Sequence, residues 1–215
     1  MVFIDQRCTR DLILDATDRL MGEQGFRKMS VEDVAREAAV ARRTIYTYFS
    51  SKEELGLASI GRVVENAITE CEQIAAERID PLARLRKVLI RRVMSRVLAV
   101  QDYHHGLDEL FLVVRPVYMI RRKAFFKQER LLIAGLLQQA RESGQVQFEG
   151  PETTAHCLLV ATNAFLPYSL SARELGKPEE VERRLTALVD ILLRGIAVSR
   201  TIGVVEIGRV RQTTE

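Results

Sequence analysis

The chain has 215 residues and a formal net charge of +3. That is long enough for a small head and a larger core at roughly 100–200 residues per domain, and so mild a charge confines any attraction for a polyanion to a local patch. No apolar run reaches membrane-spanning length, MVFIDQRCTRD places its charges too early for a signal peptide, and the three cysteines, Cys8, Cys71 and Cys157, are too widely spaced for a disulfide framework or a metal motif. These features predict a cytoplasmic protein with no membrane partner and reduced cysteines, with redox sensing the lesser alternative.

From Ser30 to Leu55 the pattern predicts two short helices, a tight turn and the start of a third. Ser30 is placed to cap the amide of Asp33, and Glu32 and Asp33 put negative charge in the first turn, where the helix dipole favours it. Val31, Val34, Ala35 and Ala38 recur at helical spacing and make a narrow face of small residues that lets a second helix approach closely. After a turn around Ala39 to Ala41, a short helix carries Arg42, Arg43, Thr44, Tyr46, Thr47 and Tyr48, with Val40, Ile45 and Phe49 left to anchor it. Ala38 to Ser51 contains no acidic residue. Together with Lys52, the arginines make this stretch a local attractor for phosphate.

These residues resemble the N-terminal DNA-binding domain of the TetR family of bacterial transcription regulators. The similarity begins in ILDATDRLMGEQGF, which looks like the family's first helix and its Gly25-Phe26 exit, and continues through VEDVAREAAV, RRTIYTYF and SKEEL. Two positions depart from the family pattern. Ala39 stands where glycine is usual, so the turn is made without glycine's freedom, and Ala41 stands where Ser or Thr often caps the recognition helix. The resemblance implies an all-α fold: a three-helix helix-turn-helix head over residues 1–50, a helical effector-binding and dimerisation domain over 51–197, and a tail, 198–215, without an assigned role.

The expected DNA contacts are Ser30, Arg42, Arg43, Thr44, Tyr46, Thr47, Tyr48 and Lys52. An arginine can hold guanine O6 and N7 with two hydrogen bonds, so Arg42 or Arg43 is the expected base reader. Thr44 suits a base edge or a thymine methyl, whereas Tyr46, Tyr48 and Lys52 suit phosphates. The competing reading is a surface helix with solvated arginines and half-buried tyrosines.

Further along, Ser51 caps a long helix running through Leu55, Ala58, Ile60, Val64 and Ile68 toward Ile79. Asp80-Pro81 starts another, with Leu82, Leu85, Leu89 and Val93 as its stripe. QDYHHGLDE reads as a polar interruption, Arg115-Pro116 as a further break, and Arg122 to Ser143 as a long helix ended by Gly144. Two last helices are expected from Pro151 to about Ser171 and from Pro178 to about Ile196. By resemblance these pair with their copies in a four-helix dimer interface, for which Leu158, Phe165, Leu185, Leu188 and Leu192 are the candidate residues. Lining a monomer core is the alternative, because periodicity alone does not separate the two.

The family layout also implies a small-molecule effector that relieves repression. Residues 81–130 are strongly basic, and interleaved aromatics make Phe111, Tyr118, Phe125 and Phe165 the candidate pocket. An anionic effector with an apolar body, such as an acyl thioester, fits that pattern, while solvated basic faces and ordinary core aromatics fit it as well. Asp102, His104, His105, Asp108 and Glu109 could ligate zinc, but Gly106 and the lack of a thiolate favour a hydrated loop, so no metal or cofactor is expected. No nucleophile elbow, phosphate loop or HExxH pattern is present, so catalytic residues are not expected either. A helical protein-binding adaptor is the remaining alternative, and it leaves Arg42, Arg43, Tyr46 and Lys52 unexplained.

Overall fold

Helix starts follow the local chemistry along most of the chain. The computed structural model describes residues 6–101, 104–166 and 176–198. Helix α1 (Gln6–Lys28) is interrupted at Gly25, whose φ of 82° suits glycine. Helix α2 (Val31–Glu37) begins with a capping box between Ser30 and Asp33, and α3 (Arg42–Tyr48) follows after a short turn. The Ser51 hydroxyl accepts from Glu54 N at the start of α4 (Lys52–Ala75), which stops short of the expected Ile79. Asp80 caps α5 (Pro81–Ala99), and prolines also open α7 (Pro151–Thr162) and α8 (Pro178–Ile196).

Helix α6 (His104–Glu142) corrects the expected break at Arg115-Pro116, because it runs unbroken through Pro116. A proline inside a helix removes one hydrogen bond and costs about 3 kcal/mol. Pro116 lies on the outer face, beside Leu112, which is 73% exposed, so water can satisfy the carbonyl that loses its partner. On the inner face Leu107, Leu110, Val114 and Tyr118 are buried on both sides of the proline and hold the two halves in line. Helix α7 is also corrected: it ends at Thr162 in a 3-10 turn, Asn163–Phe165, instead of continuing toward Ser171. The rest of that expected helix, from residue 167, lies outside the described residues.

Two buried clusters share α4 and α6. One joins α1, α2 and α3 to Leu55–Ile60 of α4 and Leu107–Tyr118 of α6. The other joins Cys71 of α4 to α5, the Ile133–Leu137 part of α6, α7 and α8. The head is therefore seated on α6 as well as on α4. A Cβ on Gly106 would stand 2.5 Å from the Met21 carbonyl, so glycine permits this close crossing of α1 and α6. Beside it, Arg27 N donates to Glu109 Oε2 at 2.9 Å. After α8, Val146 and Ala197 form an isolated antiparallel bridge, and Val198 N donates to the Gln145 carbonyl at 2.9 Å. The rest of the tail, 199–215, lies outside the described residues.

Candidate nucleic-acid interface and effector cavity

The turn between α2 and α3 is made by Ala39 at φ 53°, in the left-handed region that glycine adopts freely. Val40 N donates to the Ala35 carbonyl at 2.9 Å and closes it. Ala41 gives α3 no side-chain cap; the first turn is held by Thr44 N donating to the Ala41 carbonyl at 2.8 Å. Ile45 and Phe49 are buried against the head and orient the helix. Its outward face then carries Arg42, Arg43, Tyr46 and Thr47, all exposed, with Thr44 and Tyr48 half-buried.

The candidate contacts are not equally available. Arg42 is held by Glu32 of α2 at 2.7 Å and lies over the Tyr46 ring, 5.6 Å from its centroid. Arg43 stands in solvent, with its carbonyl accepting from the Thr47 hydroxyl at 3.2 Å. The Ser30 hydroxyl is engaged in the cap, accepting from Asp33 N at 3.1 Å and donating to Asp33 Oδ2 at 2.6 Å. These bonds from Ser30 hold the Asp33 carboxyl below its ordinary range. Lys52 Nζ donates to the Arg27 carbonyl at 3.1 Å and sits 4.5 Å from the Phe26 centroid, tying the start of α4 to the end of α1.

Three of the four aromatics expected in an effector pocket meet at the seam of α4 and α6. Phe111 and Tyr118 pack edge to face, 5.2 Å between centroids, and wall a small, partly open pocket of about 30 Å³ with Val64, Arg96 and Leu107. Tyr118 also walls an outer cleft of about 350 Å³ that includes Phe125, Leu57, Tyr48 and Phe49. Phe165 is elsewhere, against the second core. The basic run is largely neutralised by acids from other elements: Arg86 by Asp190 at 2.6 Å, Lys87 by Glu77 at 2.7 Å, and Arg121 by Glu54 at 2.7 Å. Arg92 and Arg96 are buried on Glu129 at 3.0 and 2.8 Å, a cluster that pattern reading missed because Glu129 lies 37 residues from Arg92. Of the acidic and histidine residues considered for zinc, Asp102 lies outside the described residues and Glu109 is bound to the end of α1.

The candidate dimer residues need a correction as well. Leu158 and Leu185 are buried inside the protomer's own core and have no surface to offer a second copy. Phe165, Leu188 and Leu192 are half-buried. The outer faces of α7, the 3-10 turn after it and α8 expose Cys157, Val160, Ala164, Ala187 and Ile191, the last at 65%. The amphipathic stripe of α8 was legible, but its most apolar side faces α5 and leaves a smaller-residue face outside.

A short helix held by its apolar side, showing arginines and hydroxyls outward from a helical head, defines a helix-turn-helix transcription regulator. Residues 13–58 match the model for "Bacterial regulatory proteins, tetR family". The HTH-type transcriptional regulator YvaF of Bacillus subtilis is 25% identical over 189 residues, 86% of this chain and 93% of that protein. Among solved structures, a TetR transcription regulator from Haloarcula marismortui superimposes with a TM-score of 0.71 at 18% identity, over 88% of this chain and 98% of that one. A SmeT–triclosan complex superimposes with a TM-score of 0.65 at 23% identity, over 89% and 93%. Residues 13–58 are a helix-turn-helix DNA-binding domain of the tetR type, and the chain is a transcriptional regulator built on it. Among the described residues no helix is long and apolar enough to cross a membrane.

Proposed function

We propose that the protein is a homodimeric repressor that binds a pseudo-palindromic operator and is released by a small-molecule effector. In this reading residues 1–50 read DNA in the bacterial cytoplasm, and 51–197 dimerise and bind the effector. The observation that carries it is the outward face of α3, where Arg42, Arg43, Tyr46 and Thr47 stand exposed on a helix without an acidic side chain. Arg43 is the freer base reader; Arg42 must exchange Glu32 for DNA. One α3 reads a few base pairs, so two copies set about 34–36 Å apart across a two-fold axis would read the whole operator. The exposed faces of α7 and α8 are the surface for that pairing.

Effector relief is supported by the seating of the head. Helix α6 holds α1 through Gly106 and Glu109 and holds α4 through Arg121 and Glu54, and the same stretch of α6 walls the cavity. A ligand wedged between α4 and α6 would shift the head and the spacing of the two α3 helices. The SmeT–triclosan neighbour is a precedent for a small molecule on this fold.

Selection on randomised duplex DNA tests the reading, with affinities measured at several salt concentrations. A palindrome should be enriched, and Arg43→Ala should cost about 1–3 kcal/mol and relax one position in each half-site. Absence of both enrichment and salt dependence would refute operator binding and favour a protein-binding adaptor.

A further inference from the structure

The core between α5, α6 and α7 holds two guanidiniums and one carboxylate. Arg92, Arg96 and Glu129 are 1%, 5% and 7% exposed. Arg92 is well occupied: it donates to both Glu129 oxygens at 3.0 and 3.4 Å, to the Thr162 hydroxyl at 2.8 Å and to Asn163 Oδ1 at 2.7 Å. Arg96 gives one N–H to Glu129, at 2.8 Å, and one to the Arg92 carbonyl, and it supplies the charged part of the small pocket's wall.

Among the described residues, Glu129 is the carboxylate that bonds these two guanidiniums. Burial pushes the Cys71 thiol up to about 12, so it carries no charge at neutral pH. Glu70 is partly exposed, accepts from the Ser95 hydroxyl and lies 3.8 Å from Arg91, so it stands at the edge of the cluster. Two buried guanidiniums share one carboxylate here, and an anion beside Arg96 would add a second partner.

The space around Arg96 limits what that anion can be. The pocket at Arg96, about 30 Å³, has room for about two water-sized groups, which matches the two oxygens of a carboxylate. Its remaining lining is apolar apart from Tyr118, and the Tyr118 ring is shared with the outer cleft of about 350 Å³. A ring rotation of Tyr118 would connect the two. Resting on the effector reading above, we propose that the effector is a monocarboxylate with an apolar body, its head on Arg96 and its body passing Tyr118 into the cleft between α4 and α6. There it would lie against Tyr48 and Phe49 at the end of α3 and beside the Arg121–Glu54 pair, where it disturbs the seating of the head.

The test uses the full chain with octanoate, octanol, octylamine and acetate as probes. Melting temperature and calorimetric binding are read alongside affinity for the selected operator. Octanoate should bind, raise the melting temperature and weaken operator binding, while the other three leave all readings near baseline. Arg96→Met should weaken octanoate binding by about 10- to 100-fold, the loss expected for a charge-assisted hydrogen bond. Tyr118→Trp, which blocks the passage and leaves Arg96 in place, should do likewise and covers the case in which Arg96→Met does not fold. Octanol or acetate acting as strongly as octanoate, no octanoate binding at all, or full octanoate binding in either folded variant would overturn the assignment. Octanoate binding that needs Arg96 but leaves operator affinity unchanged would uphold the carboxylate site and overturn the effector reading.

Discussion

Replacing Glu129 by Gln removes the carboxylate that two buried guanidiniums share. Arg92 and Arg96 both bond to Glu129, at 3.0 and 2.8 Å, and all three side chains are more than nine-tenths buried. Breaking one partner of a buried pair costs about 3–5 kcal/mol, because the remaining charge is neither solvated nor paired. In a chain of this length that corresponds to a melting temperature lower by roughly 6–20 °C. The internal control is Glu77→Gln, which removes the partner of Lys87 where the two side chains are 52% and 37% exposed; an exposed pair contributes about 1 kcal/mol or less. Both variants are compared with the parent by thermal and urea unfolding at one protein concentration, since dimerisation makes stability concentration-dependent. If Glu129→Gln loses no more than Glu77→Gln, the buried-pair reasoning is wrong.

The same carboxylate predicts an acid limb in the stability profile. Burial pushes the Glu129 carboxyl up, but Arg92 and Arg96 outweigh it and hold the group below its ordinary 4.5, so its contribution is present above pH 4.5 and is lost as pH falls through the lower folded value. Urea midpoints from about pH 6 to about pH 3 should fall less steeply in Glu129→Gln than in the parent. Ala39→Gly should stabilise the head by about 0.5–1 kcal/mol, the left-handed strain relieved less the entropy glycine adds to the unfolded chain. A higher urea midpoint with an unchanged selected operator is the expected result. Ile191→Asp should raise the dimer dissociation constant about tenfold or more, with a matching loss of operator affinity. Sedimentation that still finds a dimer at low concentration would remove this face from the interface.

Much of the reading head was legible without coordinates because its signals act within a few residues. Ser30, Ser51 and Asp80 each cap the amide three positions on, and the prolines at 81, 151 and 178 each open a helix. Spacing also separated the buried Ile45 from the exposed Arg43 and Tyr46. Pro116 was misread for the same local reason: a proline is a breaker by itself, and only burial of Leu110, Val114 and Tyr118 against the head keeps α6 continuous. Ser30 and Lys52 looked like DNA contacts because their polar atoms are DNA-compatible, yet in the fold each has a protein partner.

Composition and period established a helical chain with an outward basic helix, since a cap, a stripe or a charge run is a property of neighbours in the chain, and the resemblance to the TetR family implied a regulator. They could not establish which charges end up buried. Arg92 meets Glu129 across 37 residues and Asn163 across 71, and Arg86 meets Asp190 across 104. Neither could they tell which leucines of α7 and α8 turn inward, because a stripe has the same period whether it faces its own core or a second copy. Those choices belong to packing: each helix has one rotation that fills the space left by its neighbours, and that rotation decides which cations share a buried carboxylate and which stay in solvent.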